Sequence, residues 1–166
     1  MNHVTRPGKE ILVQMKGIVK RFPGVVANDH VNFELRAGEV HGLLGENGAG
    51  KTTLMNVLYG ILRPDEGQIY IGDEKIDVGS PREAINLGIG MVHQHFKLVE
   101  PHTVLENILL GLKEPAFILN VKDATNKVLE ISKRYELPID PEARIWQLSM
   151  GERQRVEILK ALYRGA

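Results

Sequence analysis

Hydrophobic positions along this chain change period several times, and the changes mark out elements. Apolar residues lead in Ile11–Met15, and Val31, Phe33 and Leu35 then alternate with polar neighbours, the period-two signature of half-buried strands. A turn follows at Ala37-Gly38-Glu39. Val40–Leu44 is a short apolar run ahead of a glycine-rich loop, which predicts a buried strand. A helix is expected over Lys51–Leu62, stopping at the turn-rich Arg63-Pro64-Asp65-Glu66-Gly67. Gln68–Ile71 and Glu74–Val78 flank Gly72-Asp73 as a hairpin. Ser80-Pro81-Arg82-Glu83 combines an N-cap, a proline at the first helical position and a glutamate three residues on, so a short helix is expected to end at Gly88. Ile89–His93 reads as a second buried strand. Beyond it the period becomes helical: Thr103–Leu110 carries a capping box (Thr103, Glu106) and stops at Gly111, and Val121, Ala124, Val128, Ile131 and Tyr135 recur at helical spacing. Leu148–Ala166 completes the pattern as an amphipathic helix with Ser149 at its head.

Composition narrows the class. The 166 residues are 43% hydrophobic and 25% charged, as in an ordinary globular domain. Twenty-one Lys and Arg balance twenty-one Asp and Glu, so no global field favours nucleic acid. With no cysteine there are no disulfides and no thiolate metal sites, which is compatible with a reducing compartment. The opening MNHVTRPGKE lacks the apolar stretch of a signal peptide, and no apolar run approaches the ~20 residues that span a bilayer.

The chemistry concentrates at Gly45-Glu46-Asn47-Gly48-Ala49-Gly50-Lys51-Thr52, a complete G-x-x-x-x-G-K-[ST] phosphate loop followed directly by Thr53. Glycines let such a loop curl until successive backbone N–H groups point inward at phosphate oxygens. Lys51 supplies a point charge for the β- and γ-phosphates, and the Thr52 hydroxyl is a hard oxygen suited to Mg²⁺. The helix that follows turns its positive end toward the same anion. A GTPase would need an Asn-Lys-x-Asp base-reading motif, but Asn126-Lys127 is followed by Val-Leu. A small-molecule kinase leaves Leu148-Ser149-Met150-Gly151-Glu152 unexplained. His93, His95 and His102 lack the carboxylate or cysteine that would complete a zinc site.

The loop at 45–52, taken with LSMGE at 148–152, resembles the ATP-binding-cassette (ABC) ATPases over Ile11 to Ala166. The resemblance implies a P-loop NTPase (RecA-like) α/β core with an N-terminal antiparallel β subdomain and a helical subdomain. On this chain those would occupy about residues 1–94, for the β subdomain and core, and 95–150, with the signature helix at 148–166. It implies further that Ser149, Gly151 and Glu152 face the γ-phosphate held by a second cassette, although a capping box is a competing explanation for Ser149 and Glu152. Gln94 would be the loop glutamine that approaches Mg²⁺ or the attacking water, with the segment after it meeting a membrane partner. Phe22, in Lys20-Arg21-Phe22-Pro23-Gly24, matches the aromatic residue that stacks on adenine.

GENGAGKTTLMNVLYGILRPDEG, GMVHQHFKLVEPHTVLENILLG and RVEILKALYRGA look like the carbohydrate and nucleoside importers, which carry two cassettes in one polypeptide; this chain is similar to the first. The wording of HQHFKLVEPHTVLENI is nearest to the nucleoside type, with the sugar type as alternative. Implied with it are ATP and Mg²⁺ as cofactors, transmembrane permease subunits and a second cassette as partners, a solute-binding protein indirectly, and a place on the inner face of the cell membrane. A non-transport role in DNA repair or translation fits less well, because the span from Gln94 to Ser149 has no room for a coiled-coil insertion. Members of the family continue with an apolar strand ending in Asp and Glu, set centrally in the sheet, and then a switch histidine. None lies within residues 1–166. The resemblance therefore implies a chain cut before that strand, one that binds nucleotide without turning it over.

Overall fold

The computed structural model describes residues 10–94, 96–112 and 120–166, and the chain divides into two compact units at Leu87/Gly88. The first unit is built on a four-stranded antiparallel sheet in the order β2-β1-β3-β4. β1 (Ile11–Phe22) and β2 (Val25–Arg36) form a long hairpin around Pro23-Gly24. β3 (Glu66–Ile71) pairs with the other edge of β1, and β4 (Glu74–Ile76) closes the sheet across Gly72-Asp73. β1 alternates as its sequence does through Val13 and Met15. It then shifts register before Ile18, so that Ile18 and Val19 are both fully buried. A bulge carries one strand face into two successive inward residues, which a strict period of two does not anticipate.

Against this sheet lies α1 (Lys51–Leu58), whose Leu54 and Val57 are buried with Met15, Ile18, Val19 and Ile69. Tyr59 to Leu62 leave the helix in turns rather than extending it. α2 (Pro81–Asn86) starts as its sequence signals, with Ser80 as N-cap accepting the Glu83 N–H and Pro81 at the first position.

The second unit is helical. α3 (Val104–Leu109), α4 (Val121–Arg134) and α5 (Met150–Tyr163) gather Val104, Leu105, Ile108, Ala124, Val128, Val156 and Leu159 into one core, with Ile145 from a 3₁₀ turn at Ile145–Gln147 beneath them. No helix among the described residues is long and apolar enough to cross a membrane.

Two expected strands are absent. Residues 40–44 are extended coil with Val40 and Leu44 almost wholly exposed, and residues 89–93 are coil as well. A strand is stable only when its N–H and C=O groups meet a neighbour. Among the described residues neither run has one, since every pairing in the sheet is antiparallel and involves β1–β4. Residues 89–93 have a different neighbour: a side chain at Gly90 would fall 2.5 Å from the Ala166 methyl and 3.1 Å from that of Ala161, so this segment runs against the end of α5.

Candidate functional site

The phosphate loop joins the coil at 40–44 to the first turn of α1. Its residues from Gly45 to Ala49 are exposed, and Ala49 N–H turns back to the Glu46 carbonyl at 3.2 Å. Gly50 caps α1 in the left-handed region (φ 81°) and has no side chain with which to do so. The first-turn amides of α1 therefore face outward without a side-chain acceptor, at the positive end of the helix. No other residue type fits at position 50. A Cβ there would sit 2.1 Å from the Ala27 carbonyl oxygen of β2, and the positive φ is itself costly for an L side chain. The contact arises from a register shift, because Lys20 pairs with Asn28 while Arg21 pairs with Val26, leaving Ala27 as the extra residue of a bulge that leans on the loop.

Lys51 folds back across the loop it follows. Its Nζ donates to the Gly45 carbonyl at 2.8 Å and to the Glu46 carbonyl at 2.7 Å, which holds the ammonium against the start of the loop. Thr52 is exposed and Thr53 half-buried on the same turn, and Glu46, Asn47 and Gly48 form the outer rim. Phe22 sits at the tip of the β1–β2 hairpin, paired with Val25, 41% exposed, with Lys20 Nζ 5.8 Å from its ring centre. The hairpin that presses Ala27 on Gly50 thus also carries Phe22, so one unit holds the aromatic ring, the loop, Lys51 and Thr52.

Gln94 belongs to the other unit and is exposed in coil. His95 lies outside the described residues, so the three histidines have no joint geometry here. The segment after Gln94 is fixed by side chains that the sequence reading passed over. Asn107, fully buried, accepts from Val99 N–H at 2.7 Å and donates to the Val99 and Thr103 carbonyls at 3.1 and 2.9 Å. Glu157 of α5, 5% exposed, accepts from Lys97 N–H at 2.9 Å. Arg153, also of α5, pairs with Glu100 at 3.1 Å, and Arg144 donates to the Pro101 carbonyl. Asn107 had a legible signal: a polar residue between Leu105 and Ile108 on the buried face of a short helix. Glu157 had a weaker one, a carboxylate next to Val156 in the apolar stripe of α5.

At the head of α5 the capping box is complete. Ser149 N–H and Oγ both donate to Glu152 Oε2, at 2.9 and 2.7 Å, and Glu152 N–H points at Ser149 Oγ at 3.4 Å. These bonds from Ser149, hydroxyl first and then backbone, hold the Glu152 carboxyl below the ordinary glutamate value. Gly151 has open space where a side chain would be, and Met150 is 71% exposed.

An outward helix end behind a lysine-bearing glycine loop, an aromatic hairpin on the same sheet and a separate helical unit whose last helix is capped by Ser149 fit an ATP-binding cassette. The ABC transporter profile matches residues 28–166, and the chain belongs to that family. It is 55% identical over 158 residues to the nucleoside import ATP-binding protein NupA of Lactococcus lactis, and 54% identical over 159 residues to the guanosine import ATP-binding protein NupO of Bacillus subtilis. Each alignment covers 95% of this chain and 31% of the relative, so the chain spans about a third of the length of these curated relatives. Among solved structures, a nucleotide-free cassette from an ABC transporter superposes with a TM-score of 0.79 at 30% identity, over 93% of this chain and 65% of that one. A dimeric bacterial ABC transporter cassette does so with 0.75 at 30%, over 92% and 70%.

Proposed function

We propose that this chain is the nucleotide-binding part of an importer ATPase that takes up a nucleoside, with ATP held on residues 45–53 and hydrolysed by the whole protein. The observation that carries the nucleotide reading is the loop itself, in which Lys51 Nζ is held by two loop carbonyls and the helix that follows starts without a side-chain cap. A triphosphate would exchange those carbonyls for charged oxygens and gain the outward amides of α1.

The residues present suit a magnesium nucleotide. Thr52, exposed and next in sequence to Lys51, offers one hard hydroxyl oxygen on the first turn of α1. Bound Mg²⁺ would offset phosphate charge there. In this reading Lys51 stabilises the phosphate oxygens, Phe22 stacks on the base and Gln94 approaches the Mg²⁺ or the water. Ser149, Gly151 and Glu152 serve the nucleotide of a second cassette, and a membrane permease is the partner that is moved, on the inner face of the cell membrane. A solute-binding protein would deliver the cargo. Support for a nucleoside rather than a sugar comes from the two relatives, a nucleoside and a guanosine import ATP-binding protein, since no residue of this chain is proposed to touch the cargo.

Two measurements test this. MgATP titrated into the chain binds, and Lys51→Ala weakens binding by roughly 10- to 150-fold, the loss of one charge-assisted contact of ~1.5–3 kcal/mol. An unaltered chain that ignores MgATP, or a Lys51→Ala that binds equally well, refutes the nucleotide reading. Cells lacking the gene should lose uptake of labelled guanosine and keep uptake of ribose; the reverse result assigns the sugar.

A further inference from the structure

Asn28 lies in β2 at the bulge, 4% exposed, and its side chain leaves the sheet to meet the phosphate loop. Nδ2 donates to the Gly50 carbonyl oxygen at 3.2 Å, the same oxygen that accepts the first helical bond of α1 from Leu54 N–H at 2.9 Å. The two donors fix the plane of one peptide unit. In a trans peptide the carbonyl and the next N–H point in opposite directions, so holding the Gly50 C=O toward α1 and β2 turns the Lys51 N–H outward from the helix end. The Ala27 carbonyl oxygen and Asn28 Nδ2 both stand where a Cβ at position 50 would lie, 2.1 and 2.7 Å from it, so the backbone of residue 50 is packed closely against this stretch of β2. Among the described residues Asn28 Oδ1 is buried without a hydrogen-bond partner, and the bond found for this amide is the one to Gly50.

We infer that Asn28 is a positioning residue for the phosphate site, aiming the Lys51 amide at the bound anion through the Gly50 peptide. The inference rests on the reading of residues 45–53 as a triphosphate site. An apolar residue of similar size would fill the same space and leave the sheet intact, but it would leave the Gly50 carbonyl held by Leu54 alone. The loop amide would then sample other directions, and anion binding would weaken with no change in the groups that touch the anion.

The experiment uses inorganic tripolyphosphate, which has no base and so reports the loop without Phe22. In the full chain, tripolyphosphate should move the Lys51 amide proton resonance downfield, and Asn28→Leu should lower the affinity about fivefold, the worth of one hydrogen bond, and largely remove that shift. MgATP affinity should fall by the same factor. Should Asn28→Leu fold poorly, the unaltered chain carries the test: its Asn28 side-chain amide resonance should respond to tripolyphosphate while those of Asn56 and Asn86 stay in place. Asn28→Leu with native affinity and a native Lys51 shift, or an unresponsive Asn28 amide in a chain that binds tripolyphosphate, overturns the positioning role alone. A chain that binds neither probe overturns the positioning role together with the phosphate reading.

Discussion

Replacing Asn107 by alanine should destabilise the helical unit and leave the sheet unit as it was. The side chain is fully buried and makes three hydrogen bonds, two to Val99 and one to Thr103, all at 3.1 Å or less. At ~1 kcal/mol net for each, and with partners left in a partly buried loop, the loss is about 3 kcal/mol. A unit of this size unfolds in urea with a slope of ~1–1.5 kcal/mol per M, so the midpoint should fall by roughly 2–3 M. Trp146 is the single tryptophan, and its backbone N–H donates to the Glu100 carbonyl in the segment Asn107 holds, so its fluorescence reports this transition. Asn107→Leu separates the causes. It restores volume and apolar character but leaves the Val99 N–H without its acceptor, while the Val99 carbonyl keeps only the His102 N–H, and should recover less than half of the loss. A midpoint within ~0.3 M of the unaltered chain for Asn107→Ala, or full recovery in Asn107→Leu, would refute the view that this buried amide holds residues 97–101 through hydrogen bonds.

Gly50→Ala should abolish MgATP binding and lower the melting temperature of the sheet unit by several degrees, since its Cβ would stand 2.1 Å from the Ala27 oxygen at a φ that costs an L residue ~1–2 kcal/mol; a calorimetric titration and melt matching the unaltered chain would count against the bulge contact. Glu106 and Glu152 give the helical unit an acid sensitivity. Both carboxyls are held below the ordinary glutamate value, Glu106 first by the Thr103 backbone N–H and Glu152 first by the Ser149 hydroxyl. A lowered folded value means the stabilisation is complete above ~pH 5, where the unfolded carboxyl is already ionised, and disappears as the pH falls through the folded values. Urea midpoints read from Trp146 should therefore drop between pH 6 and pH 3, and the drop should shrink in Glu106→Gln/Glu152→Gln; an equal drop in the double variant would place the acid sensitivity elsewhere.

What the sequence made legible was local. The P-loop spacing, the capping boxes at Thr103 and Ser149, Pro81 after Ser80 and the Gly72-Asp73 turn each act within a few residues, and each stands in the structure where the pattern puts it. Residues 40–44 and 89–93 were misread for the opposite reason. An apolar run carries β propensity, but a strand exists only by pairing, and the pattern of one segment does not reveal whether a neighbour is present. The length of β1 was missed at Gly17, where the register shift interrupts the alternation before Ile18 and Val19. The bonds made by Asn28 and Glu157 were invisible, although the place of Glu157 in the apolar stripe hinted at a buried role, because their partners, Gly50 and Lys97, lie 22 and 60 residues away. A bridge of that reach leaves no periodic trace.

The two capping boxes differ in what covers the amides beside them. Thr103/Glu106 and Ser149/Glu152 make the same reciprocal pair of bonds, so the box alone assigns nothing. On α3, however, the next amides are already taken, Val104 N–H by the Ala143 carbonyl and Leu105 N–H by that of Pro141, and both side chains are buried. On α5 no such carbonyls cover Met150 and Gly151 among the described residues, Met150 is exposed, and nothing stands over Gly151. The positive end of α5 is thus open in the two amides its cap does not use. In the proposed role, an arriving phosphate meets those amides first and competes with the Glu152 carboxylate only for the Ser149 hydroxyl. In that role one serine would serve as a cap in the free chain and as a ligand in an assembled pair without α5 unwinding.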